Sequence, residues 1–144
     1  MDLEIRPFQP PDEEEVVALW RRCELLRPAN NPYADIRRKL AVRPELFLVG
    51  VADGRIVASV MAGYEGHRGW LNYLAVDPAH RRRGFARSMV EAAEVRLRAL
   101  GCPKINLQVR SANRDAMEFY RRIGFSVDDA LSMGKRLAND EPYA

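Results

Sequence analysis

The chain has 144 residues, with 23 Lys or Arg against 20 Asp or Glu, a formal net charge of +3, and two cysteines. Side chains that are 47% hydrophobic and 30% charged exclude a disordered chain, and the length suits one domain, residues 1–144, with its own core. The longest uncharged run, from Ile56 to Tyr64, falls far short of the ~20 residues a membrane helix needs, so no membrane partner is expected.

The segment Met1-Asp2-Leu3-Glu4 is acidic where a leader peptide carries base, which points to a cytoplasmic address. Cys23 and Cys102 form no C-x-x-C pair and neither histidine stands near them, so two reduced thiols and no metal are expected. Both signs of charge are interspersed, and a net +3 is a small electrostatic footprint for a nucleic-acid binder.

In chain order, residues 3–7 alternate apolar and polar and stop at Pro7, as a short first strand does. Glu13, Glu14 and Glu15 crowd the first turn of a helix, with Val16, Trp20 and Cys23 at helical spacing behind them. Asn31 is placed to cap a second helix that has Pro32 at its first position, Tyr33, Ile36 and Leu40 as its apolar stripe, and Pro44 at its end. Residues 46–52 are a continuous apolar run, and Asp53-Gly54 is a two-residue hairpin signal. Residues 56–64 form the returning strand, and residues 70–76 complete a three-strand meander.

Residues 84–100 read as a long helix with Ala86, Val90, Ala93, Leu97 and Leu100 on one face, stopped by Gly101. Ile105, Leu107 and Val109 alternate with polar residues as a fifth strand. Residues 113–123 make a fourth helix ended by Gly124, residues 125–127 and 131–136 read as short closing strands, and the tail from Ala138 is expected to fray. This order describes an α/β (α+β) fold with one mixed, mostly antiparallel sheet and helices on both faces. The long helix is a crossover, so strands four and five should run parallel.

Two segments carry the chemistry. The first, Val76 to Ala86, joins a strand end to a helix start and includes His80-Arg81-Arg82-Arg83-Gly84. Free N–H groups at a helix start, a glycine and three arginines suit a phosphate. The Walker and G-x-G-x-x-G patterns are absent, which speaks against a nucleoside triphosphate or a Rossmann dinucleotide. A solvated basic loop explains the same residues. In the second, Asn113, Ala116 and Tyr120 lie at i, i+3 and i+7, on one helix face. A cap, a small packing residue and a core aromatic explain those.

Together the two segments resemble the GNAT superfamily of acetyl-CoA-dependent N-acetyltransferases. The family pattern R/Q-x-x-G-x-G/A is matched by Arg81, Gly84 and Ala86. The pattern N-x-x-A-x-x-x-Y-x-x-x-G-F is matched by Asn113, Ala116, Tyr120, Gly124 and Phe125. The order of elements agrees as well. The resemblance implies an acyltransferase whose cosubstrate is acetyl-CoA, whose partner is an amine, and in which strands four and five splay apart.

It implies that the backbone from Arg82 through Arg83, Gly84 and Phe85 to Ala86, with Arg81, holds the coenzyme's pyrophosphate. The pantetheine arm would lie along Leu74, Ala75 and Val76, with the N–H of Leu74 facing the thioester carbonyl. Asn113 would contact the coenzyme. Tyr120 would be the general acid, since a phenol with a reference pKa near 10 can return a proton to a thiolate whose reference is near 8.5.

The resemblance does not extend to the base. RimI-like members carry an acid where this chain has Gln108, and histone-acetylating members carry one where it has Trp70. Glu65 is the candidate chosen, ahead of His67 and of a water held by Asn72, Tyr73 or Gln108. Residues 23–32 and 63–70 look like the YpeA-type branch, and Arg27 is placed to grip a substrate carboxylate. The expectation is direct transfer to an amine in a ternary complex. The competing readings are an inactive acyl-CoA-binding module of the same fold and a small nucleic-acid binder; a homodimer is compatible with either GNAT reading.

Overall fold

Five strands form one sheet in the order β1 (Glu4–Pro7), β2 (Phe47–Ala52), β3 (Arg55–Tyr64), β4 (Gly69–Val76) and β5 (Ile105–Asn106). The first four pair antiparallel, and β4 with β5 parallel. Four helices, α1 (Glu13–Arg22), α2 (Pro32–Leu40), α3 (Phe85–Ala99) and α4 (Arg114–Arg122), flank it. This computed structural model describes residues 2–141; Met1 and residues 142–144 lie outside the described residues.

Strand alternation divides the sheet's side chains into two cores. Phe47 and Val49 of β2, Ile56 of β3 and Ala75 of β4 pack with Val16, Leu19 and Trp20 of α1 and Ile36 of α2. Leu48, Val57, Val60, Leu71 and Val76 face the other way, onto Phe85, Met89, Ala93 and Leu97 of α3. Each fully buried Val, Leu, Ile, Phe or Met among them contributes ~1.5–3 kcal/mol, so the two layers hold the sheet from both sides.

Local chemistry agrees with the elements. Asn31 accepts N–H bonds from Tyr33 at 2.9 Å and Ala34 at 3.2 Å, which caps α2 ahead of its Pro32. Asp53 and Gly54 sit at φ 53° and 72°, the pair of positive values that a primed two-residue hairpin turn requires. At the start of β4 the chains approach closely: the Gly69 N–H donates to Lys104 O at 2.8 Å, and a Cβ on Gly69 would stand 2.9 Å from Cys102 Sγ.

Three expectations are corrected. The alternating run after Ile105 pairs only through Asn106, because β4 bends away beyond Trp70 and leaves Leu107, Gln108 and Val109 without a neighbour. The two closing strands, residues 125–127 and 131–136, are not strands. With β5 so short they have no edge to bond to, and Leu131 and Met133 are each 95% exposed. The tail does not fray as far as it is described: Asp140 pairs with Arg38, and Glu141 O accepts from Asn31 Nδ2 at 3.2 Å. Its last residues, 142–144, lie outside the described residues.

Candidate functional site

The site begins with an interruption in β4. Ser59 of β3 faces Ala75 and Met61 faces Asn72, so Tyr73 and Leu74 together oppose Val60 alone. That is a β-bulge, and Tyr73 takes φ +53°, a conformation costing ~1–2 kcal/mol for a residue with a side chain. Three contacts hold it there. The Trp20 Nε1–H donates to Ser59 Oγ at 2.9 Å, and Ser59 donates onward to the Tyr73 carbonyl at 2.8 Å. The Tyr73 ring stacks on Trp20 at 3.8 Å, and its hydroxyl donates to Asp35 Oδ2 at 2.6 Å. Burial first, and then the Asp35 carboxylate, push the Tyr73 phenol far above its ordinary range.

On its other side β4 leaves β5 after Trp70↔Asn106. Leu74 therefore has no register partner in either neighbouring strand, and it borders an open groove of about 2170 Å³. Because the sheet itself parts, both faces reach this groove. Leu74 packs with the α3 and α4 layer, whereas Tyr73 packs with the α1 and α2 layer. Tyr120, Asn113 and Gln108 line it, and so do Asp35, Lys39 and Arg27.

Tyr120 sits on α4, edge-on to Phe119 at 5.1 Å and to Phe125 at 5.6 Å. Burial pushes its phenol up to about 12, so it is a protonated donor throughout the physiological range. Asn113 caps α4 by accepting the Ala116 N–H at 3.1 Å while its exposed side borders the groove.

Arg81, Arg82, Arg83, Gly84, Phe85 and Ala86 lie beyond β4 and outside the groove lining, and the buried Ala75 and Val76 at the end of β4 are outside that lining too. Arg82 and Gly84 take φ +65° and +78°, which curls the loop before α3. Gly84 supplies no side-chain cap, and the first helical bond is Ser88 N–H to Gly84 O, so the amides of Phe85, Ala86 and Arg87 have no partner within the helix. A Cβ at Gly84 would meet open space. Amides without an intrahelical partner at a helix start beside three arginines are chemically suited to a pyrophosphate. Arg81 itself folds back, with Nε donating to Val76 O at 3.3 Å.

Glu65 is not brought to the groove. It lies exposed in the β3–β4 connection, and its carboxylate accepts the N–H of Arg68 and, at 2.7 Å, of His67. Those two bonds hold its carboxyl below the usual range, which weakens it as a base. Arg27 lines the groove, but its guanidinium donates to Glu24 O in its own loop at 3.1 Å. In the sequence Asp35 looks like an ordinary first-turn acid of α2; only the bulge that aims Tyr73 at it marks it out. Among the described residues no group of three or more His, Cys, Asp or Glu is placed to hold a metal ion, and no helix is long and apolar enough to cross a membrane.

Comparison with known proteins agrees with this geometry. A protein of Yersinia pseudotuberculosis named as an acetyltransferase is 49% identical over 141 residues, covering 98% of this chain and 100% of its own. One of Sodalis glossinidius, also named as an acetyltransferase, is 48% identical over 142 residues with the same coverage. In fold, the chain is similar to the aminoglycoside N-acetyltransferase AAC(6')-Iy solved with a CoA-containing bisubstrate analogue. That match has a TM-score of 0.78 at 17% identity and covers 96% of this chain and 100% of the other. The ribosomal-protein-S18-alanine N-acetyltransferase of Escherichia coli matches with a TM-score of 0.74 at 20% identity, over 87% and 78% of the two chains. The family model described as "Acetyltransferase (GNAT) family" matches residues 3–125. With its splayed strands, its bulge and its uncapped α3, the chain belongs to the GNAT family of acetyltransferases.

Proposed function

We propose that this protein, acting as one domain, transfers the acetyl group of acetyl-CoA directly to a primary amine of a small molecule or a peptide in a ternary complex. The observation that carries this reading is the parting of β4 from β5, which opens one groove to both faces of the sheet. A donor on the α3–α4 face and an acceptor on the α1–α2 face can then meet at Leu74 with no covalent enzyme intermediate. Acetyl-CoA supplies the activated thioester.

The chain's own groups do the rest. The amides from Phe85 to Arg87 and the charge of Arg81, Arg82 and Arg83 bind the pyrophosphate, and the side of Asn113 on the groove contacts the coenzyme. The Leu74 N–H, released by the bulge, stabilises the oxyanion, an interaction worth ~2.7–4 kcal/mol where such donors have been removed. Ala75 and Val76 continue that strand edge toward the pyrophosphate. Tyr120 protonates the departing sulfur. Glu65 is the base that the sequence suggests; its place outside the groove and its two backbone bonds favour another group.

The test is a thermal shift with acetyl-CoA followed by thiol release over a panel of amines. Ligand at ~100 times its dissociation constant should stabilise the fold by ~2.7 kcal/mol. No shift at millimolar acetyl-CoA overturns the reading, and a shift without thiol release favours an acyl-CoA-binding module instead. A cytoplasmic setting fits the proposed substrates. Leu131, Met133 and Leu137 are 95%, 95% and 93% exposed; a homodimer is the assembly that strip suits, and sedimentation velocity tests it.

A further inference from the structure

We propose that Asp35, held in place by Tyr73, is the carboxylate that receives the acceptor's ammonium group and takes its proton. The inference deepens the transferase reading and rests on it. An amine attacks a thioester only when neutral, and a primary alkylamine reaches the site protonated. A group facing the groove must therefore bind a cation and accept one proton. Gln108 and Trp70 line the groove, but neither side chain can accept a proton there.

Asp35 meets the requirement by position. It stands on α2, on the face opposite the α3–α4 layer that carries Tyr120, and it lines the same groove. Its Oδ2 accepts the Tyr73 hydroxyl at 2.6 Å, and Tyr73 is the bulge residue next to Leu74. One carboxylate is thereby tied, through a single rigid ring, to the backbone position where the thioester is expected. Its other oxygen is only lightly engaged. Arg38 reaches Oδ1 at 3.4 Å, and the same guanidinium makes a closer bidentate pair with Asp140. A carboxylate has about four acceptor sites, so Asp35 retains room for an ammonium donor.

The charged groups around it are Arg38 and Lys39 on α2 and Asp140 in the C-terminal segment. Lys39 lines the groove half-buried, and its burial lowers its pKa. Glu24, Glu94 and Asp128 line the same groove, but Asp128 pairs with Lys104 at 2.9 Å and Glu94 with Arg98 at 3.8 Å, and Asp35 is the groove carboxylate that the Tyr73 hydroxyl bonds, so the cation-binding point goes to Asp35.

The step balances. The ammonium gives one proton to the Asp35 carboxylate, and the freed nitrogen lone pair forms the N–C bond. The C–S bond breaks, Tyr120 protonates the sulfur, and the proton shed by the new amide nitrogen restores Tyr120. Asp35 then loses its proton to water.

The experiment compares the parent with Asp35→Asn, acetyl-CoA as donor, and a series of acceptors running from primary alkylamines to arylamines, which are neutral at the assay pH. Asparagine keeps an oxygen for the Tyr73 hydroxyl and loses only the charge. The acetyl-CoA thermal shift should match the parent's and certifies the fold; Asp35→Ser serves if Asp35→Asn does not fold. The expected result is a loss of ~10²-fold or more in kcat/KM for alkylamines, shrinking steadily as the acceptor's own basicity falls. An equal loss across the series, or no loss, overturns the role of Asp35 and leaves the transferase reading standing. A parent that binds acetyl-CoA and acetylates no member of the series overturns the transferase reading, and this inference with it.

Discussion

The Ser59 hydroxyl donates to the Tyr73 carbonyl across 2.8 Å. Ser59 is fully buried and also accepts from Trp20 Nε1, so one small side chain joins α1 to the bulge of β4. Ser59→Ala strands a buried indole N–H and a part-buried carbonyl at once. Unsatisfied groups of that kind cost ~1–3 kcal/mol each. The expected result is a lower denaturation midpoint with an unchanged m-value, together with slower acetyl transfer because Tyr73 and Leu74 lose their fixed geometry. A midpoint equal to the parent's would show that the chain of bonds is not what holds the bulge.

Tyr120→Phe removes one hydroxyl from a ring that packs against Phe119 and Phe125. Coenzyme affinity should stay as it is while turnover falls ~10²–10⁴-fold, the usual worth of a positioned proton donor. Single-turnover kinetics is the readout, since slow product release would hide part of the loss. A parental rate in that assay makes Tyr120 a packing residue.

The same phenol sets a pH limit. Its pKa is pushed up to about 12 by burial, from an ordinary value of 10. A raised folded-state value means that stability is fully present below the unfolded value and is lost as pH climbs from about 10 to about 12. The loss is on the order of 1–3 kcal/mol. Tyr120→Phe should flatten that alkaline decline in a melting-temperature profile. In kinetics the parent's rate should rise with pH and show no falling limb below about pH 10, because the acid remains protonated there.

Gly84 tests the pyrophosphate loop. Its φ of +78° disfavours any side chain, yet a Cβ there meets nothing within 4 Å. Gly84→Ala should therefore cost ~1 kcal/mol of stability through the backbone alone. Gly84→Glu adds a negative charge at the open amides of α3 and should weaken acetyl-CoA at least tenfold, about 1.4 kcal/mol. Isothermal titration of both variants separates the two effects, and equal affinities would make the loop a plain helix start.

Gly69 stands where β4 and β5 touch before parting. A Cβ there would lie 2.9 Å from Cys102 Sγ and 3.2 Å from Leu97 Cδ1. Gly69→Val should destabilise by ~1–3 kcal/mol through overpacking, and hydrogen exchange should quicken first at Ile105 and Asn106. Protection equal to the parent's at those amides would mean that the junction yields without strain.

The order and type of the elements were legible from the sequence because the signals are local. The acids before Val16, the Asn31-Pro32 cap, the Asp53-Gly54 turn and the 3.6-residue spacing from Ala86 to Leu97 each act within a few residues. Tyr120 and Gly84 stand out in the sequence as members of spaced patterns, and their roles are proposals. The closing strands were misread because alternation in residues 125–136 states which side chains would share a face, whereas a strand exists only if a neighbouring edge can bond to it. Here β5 stops at Asn106. Asp35 was invisible for the related reason that it lies 38 residues from Tyr73 in the chain, and their 2.6 Å contact exists only because α2 packs on the face to which the β4 bulge turns that ring. The sequence by itself thus determined the elements and the motif residues. Tertiary structure decided which strand ends part, which groove carboxylate meets Tyr73 and that Glu65 stays outside the groove, since each depends on contacts between segments that no local pattern encodes.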